Sequence, residues 1–122
     1  WYSPVAPLEG RHAKVIYDTV KQIMHSFSFE PLVSVVFMSE RALCCVISII
    51  YDRDVPGEDE RAMECHDKIV ASLTNLGYYP YRLGIHNMSK LPPTNVSYVD
   101  LINKVKTTLD PNHILSPGRY EF

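Results

Sequence analysis

Two short segments carry side chains whose types and spacing suit the binding of an anion. Tyr81 and Arg82 place a phenol hydroxyl beside a guanidinium, and Arg119 follows the Pro117-Gly118 turn, which projects one side chain from a fixed backbone. A hydroxyl and a cation together stabilise negative charge on an oxygen atom in a dry pocket. The alternative from the residues alone is that Tyr81 is a core residue and that Arg82 and Arg119 are exposed surface cations.

Two further residues are candidates for hydrogen bonding at such a site. His86 lies four residues after Arg82, and histidine is the usual proton acceptor at neutral pH; a partly exposed, hydrogen-bonding histidine is the plainer interpretation. Asn112 could supply an amide, although Asp110-Pro111-Asn112 also forms a good turn without any ligand. The five histidines show no paired spacing of metal ligands, so we predict no metal site.

Composition narrows the class of protein. With 122 residues, 46% of them hydrophobic, the chain fits one domain with its own core, and its net charge of −2 argues against nucleic acid as a partner. No apolar run approaches the roughly 20 residues that cross a bilayer, and the first residues lack the features of a signal peptide. We therefore expect a soluble protein without a membrane partner, cytoplasmic in preference to periplasmic. Cys44, Cys45 and Cys65 are expected to be reduced, buried thiols.

Periodicity predicts the elements that must position these residues. Apolar residues recur at three- and four-residue steps from Gly10 to about Phe27 and from Glu58 to Leu76, which predicts two amphipathic helices, the second ending at Gly77. Between them, Leu32–Met38 and Ala42–Tyr51 read as the strands of an antiparallel hairpin. Both faces of this hairpin are apolar, so we expect helices on one side and a cover from outside this chain on the other.

The ends of the chain complete the predicted order of elements. Trp1–Pro7 reads as a short N-terminal strand, and Tyr78–Arg82 as an extended aromatic segment, which we take as a further strand. A loop with Pro92 and Pro93 then leads to a third helix, about Ser97 to Thr108. The prediction is an α+β fold, a ferredoxin-like half-cap with an antiparallel sheet packed by helices, followed by a C-terminal helix and tail.

Three sequence patterns, found in order, point to one family. The chain begins W-Y-S-P-V-A-P, continues with Tyr81-Arg82 and Met88 in a Y-R-x-x-x-x-x-M segment, and ends with L-D-P-N-x-I-L-x-P-G-R in Leu109–Phe122. Together they resemble FAD-linked oxidases of the vanillyl-alcohol oxidase and p-cresol methylhydroxylase family over nearly the whole chain. The terminal pattern by itself also occurs in FAD-linked oxidases of 2-hydroxy acids.

The resemblance implies that this chain is the C-terminal, substrate-binding or cap part of an FAD-dependent oxidoreductase that oxidises para-substituted phenols by hydride transfer to flavin. Tyr81 and Arg82 are then expected to hold the phenolic oxygen as phenolate. Arg119 is expected to face the N1–C2=O edge of the isoalloxazine, with Asn112 hydrogen bonding near the flavin. FAD is expected to be held mainly by a domain absent from this chain, so the fragment alone should be inactive.

The expected organisation and partners follow from the same resemblance. Residues 1–83 form a cap-like βαββαβ unit, and residues 84–122 form a helix and tail that return to a missing FAD-binding domain of the same polypeptide. The other expected partners are a small phenolic substrate, a cytochrome as electron acceptor, and a second copy of the chain.

The chain departs from the family pattern at several points. Cys44-Cys45 replaces a histidine pair, the position of the histidine that binds flavin covalently lies upstream of Trp1, and the interval from Arg82 to Leu109 is a few residues short. Two alternatives therefore stay open. One is an oxidase or dehydrogenase of 2-hydroxy acids, in which Arg82 binds a carboxylate. The other is a non-catalytic ferredoxin-like domain that binds a small molecule or self-associates through its sheet.

Overall fold

The computed structural model describes residues 1–90 and 95–119, without the side chains of residues 89 and 90. The predicted loop with Pro92 and Pro93 lies outside the described residues, as do the last three residues. The chain divides into two compact units, Trp1–Arg82 and Leu83–Phe122.

The first unit contains two helices and an antiparallel sheet. Its elements are β1 (Val5–Pro7), α1 (Gly10–Ser26), β2 (Leu32–Phe37), β3 (Ala42–Ser48) and α2 (Glu58–Asn75). The strand order is β1-β3-β2, so β3 lies in the centre and β2 at one edge. The predicted α+β class and the predicted hairpin are confirmed.

The core of this unit forms where α1 and α2 bury their apolar faces over the sheet. Ile16, Val20 and Met24 of α1 recur at four-residue steps and are fully buried, and Ile69 and Leu73 of α2 are buried in the same way. Alternate residues of β3 complete the same cluster, because side chains two apart on a strand share a face; these are Leu43, Cys45 and Ile47.

The predicted strand at Tyr78–Arg82 is wrong in extent. This segment forms a single antiparallel bridge, Pro4 with Pro80, supported by hydrogen bonds from Val5 N–H to the Tyr79 carbonyl (2.8 Å) and from Tyr81 N–H to the Ser3 carbonyl (3.3 Å). Proline has no N–H to donate, so a ladder cannot continue through Pro4 and Pro80. The predicted N-terminal strand Trp1–Pro7 is shortened to β1 for the same reason, with one separate bridge between Tyr2 and Ile47.

The outer strand β2 exposes apolar side chains along its length. It pairs with β3 on one side, from Leu32 opposite Ser48 to Phe37 opposite Leu43. Val33 packs against the core, whereas the other large side chains of β2 and that of the following residue are about half exposed or more, and Phe37 reaches 76%. We call these residues the β2 edge: Leu32, Val35, Val36, Phe37 and Met38.

The second unit contains a 3-10 helix, Ile85–Lys90, and α3 (Val96–Leu109). The side chain of Asn95 caps α3 by accepting a hydrogen bond from Ser97 N–H at 2.9 Å. The helix therefore begins close to the start predicted from periodicity. No residue of α3 is buried. Its apolar side chains are largely exposed, among them Val96, Tyr98, Leu101, Val105 and Leu109. No helix in the described part of the chain is both long and apolar enough to cross a membrane.

Candidate functional site

The C-terminus of α2 sets the path of the segment that carries Tyr81 and Arg82. Gly77 has φ +83° and donates its N–H to the Thr74 carbonyl, and Tyr78 N–H reaches back to the Leu73 carbonyl, both at 2.9 Å. This pair of bonds is a Schellman motif, which ends a helix abruptly on a left-handed glycine. The chain therefore leaves α2 at once and runs antiparallel to the N-terminal residues.

Tyr78 fixes this segment three residues before Tyr81. Its hydroxyl lies 2.8 Å from His12 Nδ1, and the two rings meet edge to face with centroids 5.8 Å apart. The Tyr2 hydroxyl also donates to the Tyr78 carbonyl at 3.5 Å. Neither Tyr78 nor His12 was a site candidate from the sequence. The hydrogen bond joins α1 to the segment across 66 residues of chain, and no pattern among neighbouring residues predicts a contact over that separation.

Tyr81 and Arg82 come together with Trp1. The Trp1 and Tyr81 rings are stacked, with centroids 6.3 Å apart and planes inclined by 26°. The Arg82 guanidinium carbon lies 4.9 Å from the Trp1 ring centroid and 5.3 Å from that of Tyr81. All three side chains are exposed. We call Trp1, Tyr81 and Arg82 the aromatic-arginine cluster.

The aromatic-arginine cluster has the chemistry of an anion site for a planar ligand. A guanidinium above an exposed ring gains about 0.5–1 kcal/mol from the cation–π interaction, which restricts Arg82 to one side of the rings. A stacked guanidinium keeps its N–H donors in its own plane, where they can bind a carboxylate or phenolate oxygen. Trp1 was not among the site residues predicted from the sequence.

The other two predicted site residues, Asn112 and Arg119, lie in the second unit, and both side chains are exposed. They belong to the tail, residues 110–119, where three residues have left-handed backbone: His113 (φ 50°), Ser116 (φ 47°) and Gly118 (φ 74°). Arg119 N–H donates to the Ser116 carbonyl at 3.2 Å, which closes the predicted turn at Pro117-Gly118.

Asp110, which sequence reasoning assigned only to the turn, is the residue around which the tail folds. It is 4% exposed, and its carboxylate accepts hydrogen bonds from Ile114 N–H and Leu115 N–H at 2.9 Å each and from Lys106 Nζ at 2.5 Å. The hydrogen bond from Lys106, helped by the two backbone donors, lowers the pKa of Asp110 to about 2.

The remaining candidates have less support as reactive groups. His86 lies on the 3-10 helix of the second unit and packs over Gly84, where an added Cβ would lie 2.9 Å from the imidazole Cε1.

The three cysteines are unpaired and buried, as predicted. Burial raises the pKa of both Cys45 and Cys65 to about 11, which disfavours the reactive thiolate. Residues 1–90 and 95–119 contain no group of His, Cys, Asp and Glu that could hold a metal ion.

Two known proteins are similar in sequence to the whole or nearly the whole of this chain. The whole chain is 43% identical over 122 residues to 1'-carboxy-chondrochloren decarboxylase of Chondromyces crocatus. Over 123 residues, 98% of the chain is 28% identical to the 4-cresol dehydrogenase (hydroxylating) flavoprotein subunit of Pseudomonas putida. The chain spans 23% of the length of each of these relatives.

A solved structure gives the same fold. The 4-ethylphenol oxidase of Gulosibacter chungangensis, in its isoeugenol complex, superposes on 98% of this chain with a TM-score of 0.86 at 22% sequence identity, and 23% of that oxidase is covered. No protein-family model matches the sequence.

Proposed function

Because this chain matches the C-terminal part of flavoprotein oxidases of the vanillyl-alcohol oxidase and p-cresol methylhydroxylase family, we propose that it is the substrate-binding part of an FAD-dependent oxidoreductase for para-substituted phenols. The observation that carries the proposal is the aromatic-arginine cluster, in which Arg82 lies over the rings of Trp1 and Tyr81. The rest of the enzyme, which supplies most of the FAD site, lies outside this chain.

In the proposed site, Arg82 and Tyr81 bind the ring oxygen of the substrate. The guanidinium and the hydroxyl stabilise the phenolate, and charge-assisted hydrogen bonds of this kind are about twice as strong as neutral ones. Negative charge on the ring oxygen is conjugated to the para carbon, so it eases the loss of hydride from the attached benzylic position. Trp1 holds the guanidinium on one side and excludes water from that side.

The second unit offers donors that fit a flavin. Arg119 presents a guanidinium and Asn112 an amide from the exposed tail, and these groups suit the N1–C2=O edge, where negative charge develops. FAD, when bound, supplies the hydride acceptor. The exposed apolar side chains of α3 are then covered by the FAD-binding domain of the same polypeptide.

The test uses the complete flavoprotein with a 4-alkylphenol, measured as reduction of the flavin absorbance under anaerobic conditions. Removal of one donor at a site of developing negative charge costs about 100-fold or more, so Arg82→Ala should lower kcat/KM by that factor. Arg82→Lys should recover little, because an ammonium lacks the planar pair of donors. Arg11→Ala is the matched control, since Arg11 is an exposed cation of the same unit, 72% exposed and paired with Glu9.

Three outcomes would contradict the proposal. Unchanged phenol turnover in Arg82→Ala would remove the role of Arg82, and flavin reduction by lactate or glycolate instead of phenols would favour the 2-hydroxy-acid alternative. A complete protein that binds no flavin would favour the non-catalytic domain.

A second function is favoured by the higher identity to a decarboxylase, 43% against 28% for the cresol dehydrogenase. In this version the substrate carries a carboxylate, which leaves as carbon dioxide while a proton takes its place on the same carbon. The guanidinium of Arg82 fits a carboxylate as well as a phenolate. Release of carbon dioxide from a 4-hydroxyphenyl substrate with a carboxylated side chain, together with no turnover of the matching 4-alkylphenol, would select this reaction.

Transfer of electrons to a cytochrome and pairing of two copies of the enzyme remain predictions. Reduction of cytochrome c by the substrate-reduced enzyme in the absence of oxygen tests the first, and the mass of the complete enzyme in solution tests the second.

A further inference from the structure

The tail of the second unit adopts a conformation that its sequence does not favour. His113 and Ser116 both have positive φ, although side chains with a Cβ rarely adopt left-handed backbone, and such residues persist only where their surroundings hold them. Ser116 is neither a glycine nor one of the types, Asn, Asp and His, that are enriched in this region, so the turn chemistry of the sequence does not account for the path at Ser116. Some other interaction must hold the tail.

The interaction is the anchor formed by Asp110 and Lys106. The Asp110 carboxylate receives Ile114 N–H and Leu115 N–H, one oxygen each, and Lys106 Nζ binds both that carboxylate and the Leu115 carbonyl. Each group bonds to more than one partner, so the last turn of α3 and the tail backbone as far as Leu115 are joined in one network. Asp110 is almost fully buried within it.

The anchored backbone leads directly to Arg119. Leu115 is the last residue bound by the anchor, and the next residue, Ser116, accepts the N–H of Arg119 at 3.2 Å. The Pro117-Gly118 turn lies between them, and proline has a fixed φ. The direction in which Arg119 leaves the chain therefore depends on where the anchor places Ser116.

We infer that Asp110 and Lys106 are positioning residues that hold Arg119 in the orientation in which its guanidinium stabilises the reduced flavin. The inference rests on the proposed function. It assigns neither residue a contact with the flavin or the substrate. Arg119 supplies the positive charge, and the anchor fixes the position of Arg119.

The reduction potential of the bound flavin in the complete enzyme tests this inference. Arg119→Ala should lower the potential by about 30 mV or more, which corresponds to a tenfold weaker stabilisation of the reduced form for a two-electron couple. Asp110→Asn should lower it by a similar amount. Removing a negative charge would by its direct field raise the potential, so a decrease reports that Arg119 has lost its position. The double variant should show no additional decrease.

Asp18→Asn is the matched control. Asp18 binds Lys14 with the same residue types and the same i,i+4 spacing as Asp110 and Lys106, but on the exposed surface of α1. Its substitution should leave the potential unchanged. Where Asp110→Asn binds no flavin, Lys106→Met takes its place, compared in the wild-type and Arg119→Ala backgrounds. A positioning role predicts that its effect disappears when Arg119 is absent, and a direct field predicts that it persists.

The outcomes distinguish the contact of Arg119 with flavin from the positioning role of the anchor. An unchanged potential in Arg119→Ala contradicts the proposed contact of Arg119 with flavin. A lowered potential in Arg119→Ala, combined with an unchanged or raised potential in Asp110→Asn, leaves that contact standing and overturns the positioning role of the anchor.

Discussion

The two units of this chain are built on opposite principles. In Trp1–Arg82 the buried residues are mostly apolar, and they join α1, α2 and β3 in one cluster. In the described part of Leu83–Phe122 the buried residues are Asn87 and Asp110, both polar, and no apolar side chain is buried. The first unit can be stabilised by the hydrophobic effect, whereas the second relies on hydrogen bonds and ion pairs, which contribute much less in water.

This difference indicates where each unit obtains its stability. A helix of 14 residues such as α3 is marginal in water without packing against a partner. The first unit therefore has an apolar core of its own, whereas the described residues of the second unit have none. The residues proposed for substrate binding lie in the first unit and those proposed for flavin binding in the second. Tyr81 and Arg82 are held by ring contacts with Trp1. The tail that carries Asn112 and Arg119 is held by hydrogen bonds to Asp110.

The largest expected effect tests the contrast in packing. Ile69→Ala, at a fully buried position of α2, should lower the free energy of unfolding of the isolated chain by about 2–5 kcal/mol. Leu101→Ala, at a position of α3 that is 58% exposed, should change it by less than about 0.5 kcal/mol. Urea unfolding followed by circular dichroism measures both. Equal losses would mean that α3 belongs to a packed core and that the contrast is wrong.

The next effect tests how the first unit directs the segment that carries its site. Gly77→Ala places a Cβ on a left-handed residue and should cost about 1–2 kcal/mol. Gly10→Ala is the control, since Gly10 begins α1 in open space and alanine favours helix. Thermal unfolding compares the two. A neutral Gly77→Ala would show that the end of α2 does not constrain Tyr78–Arg82.

A smaller effect is expected from the hydroxyl of Tyr78. Tyr78→Phe removes the hydrogen bond to His12 and should cost about 1 kcal/mol. Tyr17→Phe, on the exposed face of α1, serves as the control. If His12→Phe and Tyr78→Phe were fully additive in a double-mutant cycle, the bond would not couple α1 to the segment.

The smallest effect at neutral pH is expected at the anchor that Asp110 and Lys106 form in the second unit. The pKa of Asp110 is lowered to about 2 from its ordinary value of 3.8. The contribution of the carboxylate to stability is therefore complete above about pH 4 and is lost as the pH falls through about 2. The amide chemical shifts of Ile114 and Leu115 should titrate in this window and be flat in Asp110→Asn. A midpoint near 4 in the wild-type chain would show that the carboxylate is not bound as described.

Sequence patterns predicted the helices closely because their apolar spacing is local. The predicted span from Gly10 to Phe27 became Gly10–Ser26, and the span from Glu58 to Leu76 became Glu58–Asn75. The strand at Tyr78–Arg82 was overestimated, since aromatic residues favour strands while Pro80 and Pro4 interrupt the ladder.

The same difference between local patterns and long-range contacts applies to the candidate site. Tyr81 and Arg82 are neighbours in sequence and were predicted from a motif, although their roles in binding are untested. Their contact with Trp1 depends on the pairing of two segments about 80 residues apart, which no periodicity encodes. Asp110 was hidden for a related reason, because its partners are backbone N–H groups, and every residue except proline carries one.

The exposed β2 edge also affects how the isolated chain behaves in solution. Leu32–Met38 is a seven-residue segment without charge or proline, rich in β-branched residues, and one side of its backbone has no strand partner in the described structure. Segments of this kind act as templates for strand addition and for amyloid-like stacking. Recombinant production of the isolated chain is therefore expected to be limited by aggregation that begins at this strand while the helices are still intact.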